Sequence, residues 1–203
     1  LTIAGNTLTD RLIVENGRIT GVRVIGPDGP SEIRAGRVVV CGGTYGSPAI
    51  LMRTGIGDPA ALVSIGIAPV HDLLGVGKNL HDHSAAYFEF AGTDELRDQM
   101  TAFGQQSWMP EEQSIAKFRS SQCTEAFDLH LYPEGGPYAD NRTRWSFIMP
   151  IACMTPRSRG RMLLTSGDPE AKPVFEHGYL SDVDHADLRV LADGIEIGRE
   201  MTN

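Results

Sequence analysis

The chain has 203 residues, of which 41% are hydrophobic and 22% are charged, as is usual for globular domains. Its net charge is −8 and its acidic residues are scattered, which argues against nucleic acid and against anionic membranes as partners. The apolar runs are far shorter than the roughly 20 residues that span a bilayer, so we expect no membrane partner.

Cysteine usage indicates a reducing compartment. Cys41, Cys123 and Cys153 are widely spaced, and no C-x-x-C pair occurs in the sequence. An odd and sparse set of this kind argues against a disulfide framework. We therefore expect a cytoplasmic protein.

Residues 1–41 predict a small antiparallel meander. Strand patterns at 12–14 and 19–24 flank Asn16-Gly17, a dipeptide that favours a tight hairpin turn. A third strand is expected around Ile33, and the apolar run 37–41 predicts a fourth, buried strand.

A candidate nucleotide-binding corner follows this fourth strand. Residues 42–48 read GGTYGSP and precede an apolar helix pattern, with Ser47 suited to cap the helix and Pro48 to its first turn. Backbone N–H groups at a helix N-terminus attract phosphate, and glycines let the backbone approach a ligand. The spacing is not that of G-x-G-x-x-G, so a tight turn without a ligand is an equal alternative.

Residues 75–83 read GVGKNLHDH and combine two histidines with an aspartate and a lysine. In a strand, His81 and His83 would share one face with Asp82 opposite, which supplies two metal ligands at best. No third ligand is evident in the sequence, so we expect no metal site. Contact of either histidine with a substrate is an alternative to a structural role.

From residue 84 the pattern predicts a second, antiparallel sheet. Four runs are typical of strands: residues 87–90, 127–132, 145–149 and 161–165. The polar stretch 93–122 carries scattered apolar residues, which indicates either a lid over a cavity or a disordered surface loop. An amphipathic helix pattern follows at 188–195.

Three stretches together resemble the glucose–methanol–choline (GMC) family of flavin oxidoreductases. Residues 42–62, GGTYGSPAILMRTGIGDPAAL, resemble its Gly-x-x-Gly-Ser-Pro turn, helix and Ser/Thr-Gly-Ile-Gly turn. Residues 66–83 resemble its Leu-Pro-Gly-Val-Gly-x-Asn-Leu-x-Asp-His run, with Leu74 where Pro is commoner. Residues 155–188 resemble its Arg-Pro-x-Ser-Arg-Gly strand and the continuation of that strand. The sequence is identified as a member of that family.

The resemblance implies a mixed α+β and α/β fold in two parts. Residues 1–83 would form part of a Rossmann-like FAD-binding domain with its β-meander, and 84–203 part of an antiparallel-sheet substrate domain. The stretch 75–83 would be the crossing between them, with an architectural role. The implied cofactor is FAD, and the implied reaction oxidises a small-molecule alcohol to an aldehyde or ketone, by an oxidase or a dehydrogenase.

The resemblance also implies cofactor contacts at four positions. Thr9 matches a residue whose backbone meets the adenine, and a backbone contact does not depend on the side chain. Cys41, Gly42 and Gly43 match the family's Ser-Ala-Gly at the end of the adjacent strand. The alternatives are an ordinary strand residue at Thr9 and a ligand-free turn at the glycines.

Candidates for the substrate pocket alternate on the predicted strands of the second sheet, which in this family floors the active-site cavity. They are Tyr87, Phe127, Leu129, Phe147 and Met149. Packing in the core is the alternative for each of them.

Two motifs of the family are not found in this sequence: the N-terminal G-x-G-x-x-G and the C-terminal His-Pro-x-Gly-Thr segment with its catalytic histidine. We assign no catalytic residue in this chain, and His177 is not expected to be the base. The resemblance implies an internal part of an enzyme, with flanking segments of the same enzyme as its partners. Hydroxynitrile lyase chemistry on the same scaffold, or a non-catalytic binding module, are the alternatives.

Overall fold

A computed structural model describes residues 1–108, 114–137 and 145–202. In chain order the elements are β1 (Leu8–Glu15), β2 (Arg18–Gly26), β3 (Gly29–Arg34), α1 (Gly43–Arg53), β4 (Ile56–Gly57), α2 (Pro59–Ser64), β5 (His71–Asp72), β6 (Lys78–Leu80), β7 (Ser84–Ala91), α3 (Asp94–Gln106), β8 (Ala116–Phe118), β9 (Leu129–Leu131), β10 (Glu134–Pro137), β11 (Trp145–Cys153), β12 (Gly160–Leu163), β13 (Val174–Glu176) and α4 (Ala186–Thr202). Within these residues no helix is both long and apolar enough to cross a membrane.

The chain forms two compact units. The first comprises Leu1–Leu80 and Arg159–Gly178, and the second comprises His81–Ser158 and Tyr179–Asn203. The first change of unit lies close to the predicted boundary at residue 83. Arg159–Gly178 differ from that division and join the first unit, because β12 pairs with β6 as well as with β13. The assignment of one part to FAD and the other to substrate stays a prediction.

The predicted meander is present as a three-stranded antiparallel sheet, β1–β2–β3. Asn16 and Gly17 make the turn between β1 and β2 with φ of 51° and 72°, the left-handed conformation that this dipeptide favours. The predicted fourth strand is wrong. Residues 37–41 lie outside any strand and Val39 is 75% exposed. The described residues provide no neighbouring strand to bind this segment.

Helix α1 begins earlier than predicted. It starts at Gly43 after the cap residue Gly42, so Pro48 lies inside the helix and Ser47 is not its cap. The Ser47 hydroxyl instead accepts a hydrogen bond from the Gly42 N–H, with an N···O distance of 3.0 Å. The early start follows from the Gly46 N–H, which bonds the Gly42 carbonyl and closes a helical turn before the proline.

Buried polar contacts attach α1 to the meander. The Arg53 side chain is 6% exposed, and its Nε donates to the Asp10 carbonyl at 2.7 Å and lies 3.6 Å from Asp10 Oδ1. Next to it, the Thr54 hydroxyl accepts from the Leu12 N–H at 2.9 Å and donates to the Ile50 carbonyl at 2.7 Å. These hydrogen bonds fix the helix against β1, although Asp10 Oδ1 itself is buried and accepts no hydrogen bond within the described chain.

The remaining core of the first unit lies between α1, α2 and the small sheet β13–β12–β6. Its buried residues are Ala49, Met52, Leu62, Ile67, Met162 and Leu164. Helix α2 begins after Asp58, whose carboxylate accepts from the Ala60 N–H, as the Asp-Pro pair predicts. Further along the chain, the short strand β5 pairs in parallel with β4.

The second unit is built on a five-stranded antiparallel sheet with β11 at its centre. Strands β7 and β9 pair with β11 on opposite sides, and β8 follows β9. Register places Ile151 opposite Leu131 and Ala86, so these residues share one face of the sheet. Helix α4 covers that face, and the buried core beneath it consists of Leu129, Leu131, Met149, Ile151, Cys153, Val190 and Leu191.

Helix α3 corrects the expectation of a disordered loop after β7. It covers Asp94–Gln106, and its cap residue Thr93 accepts a hydrogen bond from the Leu96 N–H at 3.1 Å. Asp94 and Glu95 in the first turn favour this helix terminus electrostatically. No residue of α3 is buried. A lid function stays a prediction, and residues 109–113 of the same stretch lie outside the described residues.

Candidate functional site

A cavity in the first unit brings together three of the four residues predicted to contact the cofactor. Its volume is about 290 Å³. The lining residues are Thr9, Leu12, Val22, Val38, Val39, Val40, Cys41, Gly42 and Ile50. Thr9 is distant in sequence from the adjacent pair Cys41 and Gly42, yet all three line the same cavity. Their contact with a cofactor stays a prediction.

The floor of this cavity is apolar, and the sequence analysis did not identify the residues that form it. Leu12 and Val22 are register partners across β1 and β2, and Ile50 lies on α1. Leu12 and Ile50 are buried. The period-two alternation of β1 could have indicated Leu12, but only the packing of α1 shows that the three meet.

The rim of the cavity offers backbone groups. Residues 38–41 line it without belonging to a strand, and within the described part of the chain their N–H and C=O groups make no hydrogen bond. Val38 and Val40 are half-buried, whereas Val39 and Cys41 are exposed, so these backbone groups are available to a ligand or to water. An apolar floor with unpaired donors and acceptors along one edge fits a flat purine ring, whose faces are apolar and whose edge forms hydrogen bonds.

The glycine pair at the start of α1 has two different structural roles. A Cβ on Gly42 would lie 3.0 Å from the Gly46 carbonyl carbon and the Ser47 nitrogen, so this glycine is needed by the turn itself. Gly43 has φ of 72°, and a Cβ there would meet no atom within 4 Å. Gly43 does not line the cavity. It begins α1, and its open side is where a ligand could approach the backbone closely.

The N-terminus of α1 also suits an anion. Its first turn carries no acidic residue, and the partial positive charge of a helix N-terminus attracts phosphate. The helix therefore offers an electrostatic contact beside the apolar cavity. Together the two features fit an adenine nucleotide, with the base in the cavity and a phosphate near Gly43.

Two of the predicted substrate-pocket residues, Leu129 and Met149, are buried core residues instead, and a third, Phe147, is partly buried beside them. Leu129 and Met149 are 0% and 4% exposed, and Phe147 packs against the same cluster. They lie on the face of the sheet that α4 covers, because side chains alternate between faces along each strand. The assignment of Leu129 and Met149 to an open pocket is corrected to core packing, and Phe147 packs against that core.

The other two pocket candidates are not part of that core. Tyr87 is 66% exposed and is the register partner of Pro150, on the face opposite α4. The Phe127 ring stacks on the His130 ring, with centroids 5.2 Å apart and an interplanar angle of 16°. A role of Tyr87 and Phe127 in substrate binding stays a prediction.

The stretch 75–83 has an architectural geometry. Gly77 has φ of 78°, and a Cβ there would lie 2.6 Å from the Met162 carbonyl oxygen. Asp82 accepts from the His83 N–H at 2.8 Å and from the Tyr179 hydroxyl at 3.3 Å. Among the residues that the structure describes, no three His, Cys, Asp or Glu side chains are placed to hold a metal ion.

Comparison with known proteins decides the family. Residues 1–85, which contain the whole cavity, match the family described as GMC oxidoreductase. The chain belongs to the GMC oxidoreductase family. Oxygen-dependent choline dehydrogenases from Pseudomonas savastanoi pv. phaseolicola and Chromohalobacter salexigens are both 31% identical to it. Each alignment covers 99% of this chain and 39% of the relative, so the chain spans well under half the length of these GMC proteins.

Solved structures show the same GMC fold. Pyridoxine 4-oxidase from Mesorbium loti aligns with a TM-score of 0.74 at 22% identity, over 95% of this chain and 38% of that one. Formate oxidase from Aspergillus oryzae aligns with a TM-score of 0.80 at 20% identity, over 96% of this chain and 42% of that one. That structure concerns FAD modification. The mixed α/β fold with several antiparallel sheets is therefore confirmed as part of a GMC oxidase fold.

Proposed function

We propose that this chain supplies the adenine side of an FAD site, and part of the substrate domain, to an oxidoreductase acting on the CH–OH group of a small alcohol. The observation that carries the proposal is the cavity where Thr9, Cys41 and Gly42 meet, within the part that matches the GMC family. Members of this family bind FAD. Bound FAD would supply the acceptor for the hydride that leaves the alcohol carbon.

The chain's own contribution is to bind and orient the cofactor. Leu12, Val22 and Ile50 would pack against the faces of the adenine ring and exclude water from it. The unpaired backbone groups of 38–41, and the backbone at Thr9, would bind its polar edge. Because backbone groups carry these contacts, the site tolerates a threonine or a cysteine at its rim.

The proposed reaction also needs parts of a GMC enzyme that this chain does not correspond to. This chain spans 39% of the length of the choline dehydrogenases that it matches, and we assign no catalytic residue among the described residues. The proposed partners are therefore the remaining parts of the enzyme and a small-molecule alcohol.

Two glycines provide a matched test of the cofactor site in the complete protein. Gly43 and Gly17 both have φ of 72°, and a Cβ at either meets no atom within 4 Å. Alanine should cost about 1 kcal/mol of backbone strain at both positions. Only at Gly43 would the added methyl group stand between the backbone and the nucleotide.

We expect Gly43→Ala to weaken FAD binding at least tenfold, about 1.4 kcal/mol, and Gly17→Ala to leave it unchanged. Flavin fluorescence titration of both variants measures this, and thermal melting of the apoproteins checks that they lose similar stability. Equal FAD affinity in the two variants would remove the support for this site. Flavin reduction by added alcohols separates an oxidoreductase from a lyase or a binding module.

A further inference from the structure

Strand β1 forms one wall of the cavity in the first unit, although its spacing would place two of the lining residues on opposite faces. Thr9 and Leu12 are three positions apart, and in a regular strand only residues an even number of positions apart share a face. Both nevertheless line the cavity. Their register partners on β2, Val24 and Val22, are two positions apart and share a face. An extra residue in β1 therefore lies between Thr9 and Leu12.

That extra residue is Asp10. It has no register partner on β2, because its two neighbours, Thr9 and Arg11, pair with successive residues of that strand. This arrangement is a β-bulge, which locally interrupts the ladder and bends the strand. The extra residue shifts the alternation of the side chains that precede it, so Thr9 faces the cavity. With regular pairing the start of β1 would slip by one residue and turn Thr9 to the other face.

The guanidinium of Arg53, from α1, binds the backbone at this bulge. Its Nε donates to the Asp10 carbonyl at 2.7 Å, and its Nη2 donates to the Thr9 carbonyl at 3.2 Å. Successive carbonyls of a regular strand point to opposite edges, so one side chain would not reach both of them. The two hydrogen bonds are therefore specific to the bulged conformation, and the buried position of Arg53 shields them from water.

The charges at the bulge favour arginine at this position. Arg53 Nε lies 3.6 Å from Oδ1 of the buried Asp10 carboxylate. The Nε atoms of Arg11 and Arg23 lie 3.0 and 3.8 Å from the other oxygen, Oδ2. Oδ1 accepts no hydrogen bond within the described chain, so Arg53 is the cation that compensates its burial. Lysine would supply that charge, but a single ammonium group does not replace two donors fixed in one plane.

We propose that Arg53 is a positioning residue of the cofactor site, which holds the bulge at Asp10 and thereby turns Thr9 toward the adenine of FAD. This inference rests on the proposed function, because adenine is the group assigned to the cavity. Arg53 does not itself line the cavity, so it acts through Thr9. A carbonyl oxygen has two lone pairs, so the bond from Arg53 leaves the Thr9 carbonyl able to accept a second one from the nucleotide.

The test measures the FAD affinity of the full-length apoprotein by flavin fluorescence titration, at a temperature at which thermal melting shows each variant to be folded. Arg53→Met fills the space of the side chain without its donors, and Arg53→Lys keeps the charge without the planar fork. Met162→Ala is the matched control. Met162 is 3% exposed in the core of the same unit and does not line the cavity, so its truncation lowers stability and leaves the bulge intact.

We expect Arg53→Met to weaken FAD binding about five- to tenfold, the effect of losing one hydrogen bond to the nucleotide, and Arg53→Lys to weaken it to a similar extent. Met162→Ala should melt at a lower temperature than the wild type but bind FAD equally well. Three outcomes would overturn the proposal: unchanged affinity in Arg53→Met, full affinity in Arg53→Lys, or an equal loss of affinity in Met162→Ala. The last would show that FAD binding follows stability alone.

A second measurement determines the register of β1 without FAD. Thr9→Cys combined with Val24→Cys should form a disulfide when Arg53 is present, because register partners lie within disulfide reach. With Arg53→Met, a slip to regular pairing should instead allow a disulfide between Thr9→Cys and Ile25→Cys, as peptide mass spectrometry can distinguish.

An unchanged disulfide pattern in Arg53→Met would refute the role of Arg53 in holding the bulge. Where Arg53→Met does not fold, Arg53→Lys serves for both measurements. A wild-type protein that binds no FAD, but whose register depends on Arg53, would count against the proposed function and not against the positioning of Thr9.

Discussion

Replacing Gly194 by alanine should loosen the packing of α4 on the sheet of the second unit. A Cβ on Gly194 would overlap Ile151 Cγ2 and would lie 2.9 Å from Leu129 Cδ2. Both neighbours are 0% exposed, and Ile151 is β-branched, so its side chain has few other rotamers to adopt. The methyl group can be accommodated only if α4 moves away from the sheet.

The size of the effect follows from two opposing terms. Alanine in a helix interior is favoured over glycine by about 1 kcal/mol. Overpacking a close-packed core by one methyl group costs about 1–3 kcal/mol. Gly104→Ala in α3 isolates the first term, because a Cβ on Gly104 meets no atom within 4 Å. The difference between the two variants should therefore be the overpacking cost alone.

We expect Gly104→Ala to stabilise the full-length protein slightly, and Gly194→Ala to melt about 2–12 °C below the Gly104→Ala variant, at roughly 2–4 °C per kcal/mol. Hydrogen exchange of β11 amides should become faster only in Gly194→Ala. If Gly194→Ala were as stable as Gly104→Ala, the contact between α4 and Ile151 would be looser than the structure has it.

Two further predictions follow from titratable groups of the described chain. Burial would raise the pKa of Asp187, but hydrogen bonds from the backbone of Arg157 and from Ser158 outweigh it and hold the pKa below its ordinary value. The stability that this carboxylate contributes is thus present above about pH 4 and lost as the pH falls through the folded-state pKa. Asp187→Asn should therefore make the stability of the protein less dependent on pH in this acid range, as circular dichroism can measure. Burial raises the pKa of the Cys153 thiol to about 11, so iodoacetamide at pH 8 should label exposed Cys41 and spare Cys153, as peptide mass spectrometry can check. FAD should slow the labelling of Cys41, and equal labelling with and without FAD would argue against a nucleotide in that cavity.

Local signals were sufficient where a few neighbouring residues determine the backbone. Asn16-Gly17 predicts a hairpin because both residues tolerate positive φ, and both adopt it. Asp58-Pro59 predicts a helix start because the carboxylate caps the first turn and proline needs no hydrogen bond there. Neither feature depends on distant parts of the chain, so sequence reasoning was reliable for them.

Sequence reasoning failed where distant partners or competing caps decide. The run 37–41 has the composition of a buried strand, but a strand needs a neighbour to hydrogen-bond, and the described residues provide none. Serine is a residue type that commonly caps helices, which is why Ser47 was predicted to cap α1. In the structure the helix already starts at Gly43, and the Ser47 hydroxyl accepts a hydrogen bond from the Gly42 N–H. The Thr93 cap of α3 was overlooked because the surrounding stretch is polar and lacks an apolar period.

For the candidate site residues too, the sequence alone was sufficient for some features and not for others. Thr9, Cys41 and Gly42 were found through resemblance to a family, since nothing in their own chemistry indicates a nucleotide. In the second unit, alternation predicted which residues share a face but not which face is covered. Only the position of α4 shows that Leu129 is core and that Tyr87 is open.

The two units differ in what a sequence can encode about a contact with a ligand. In the first unit the cavity offers a shape and a set of backbone groups, so many side chains at positions such as Thr9 and Cys41 are compatible with the same ligand. In the second unit the face of the sheet opposite α4 carries exposed side chains such as Tyr87, and their identity determines hydrogen bonding and charge. A contact made by backbone groups can therefore persist between relatives that are 31% identical, whereas a contact made by side chains changes with each substitution.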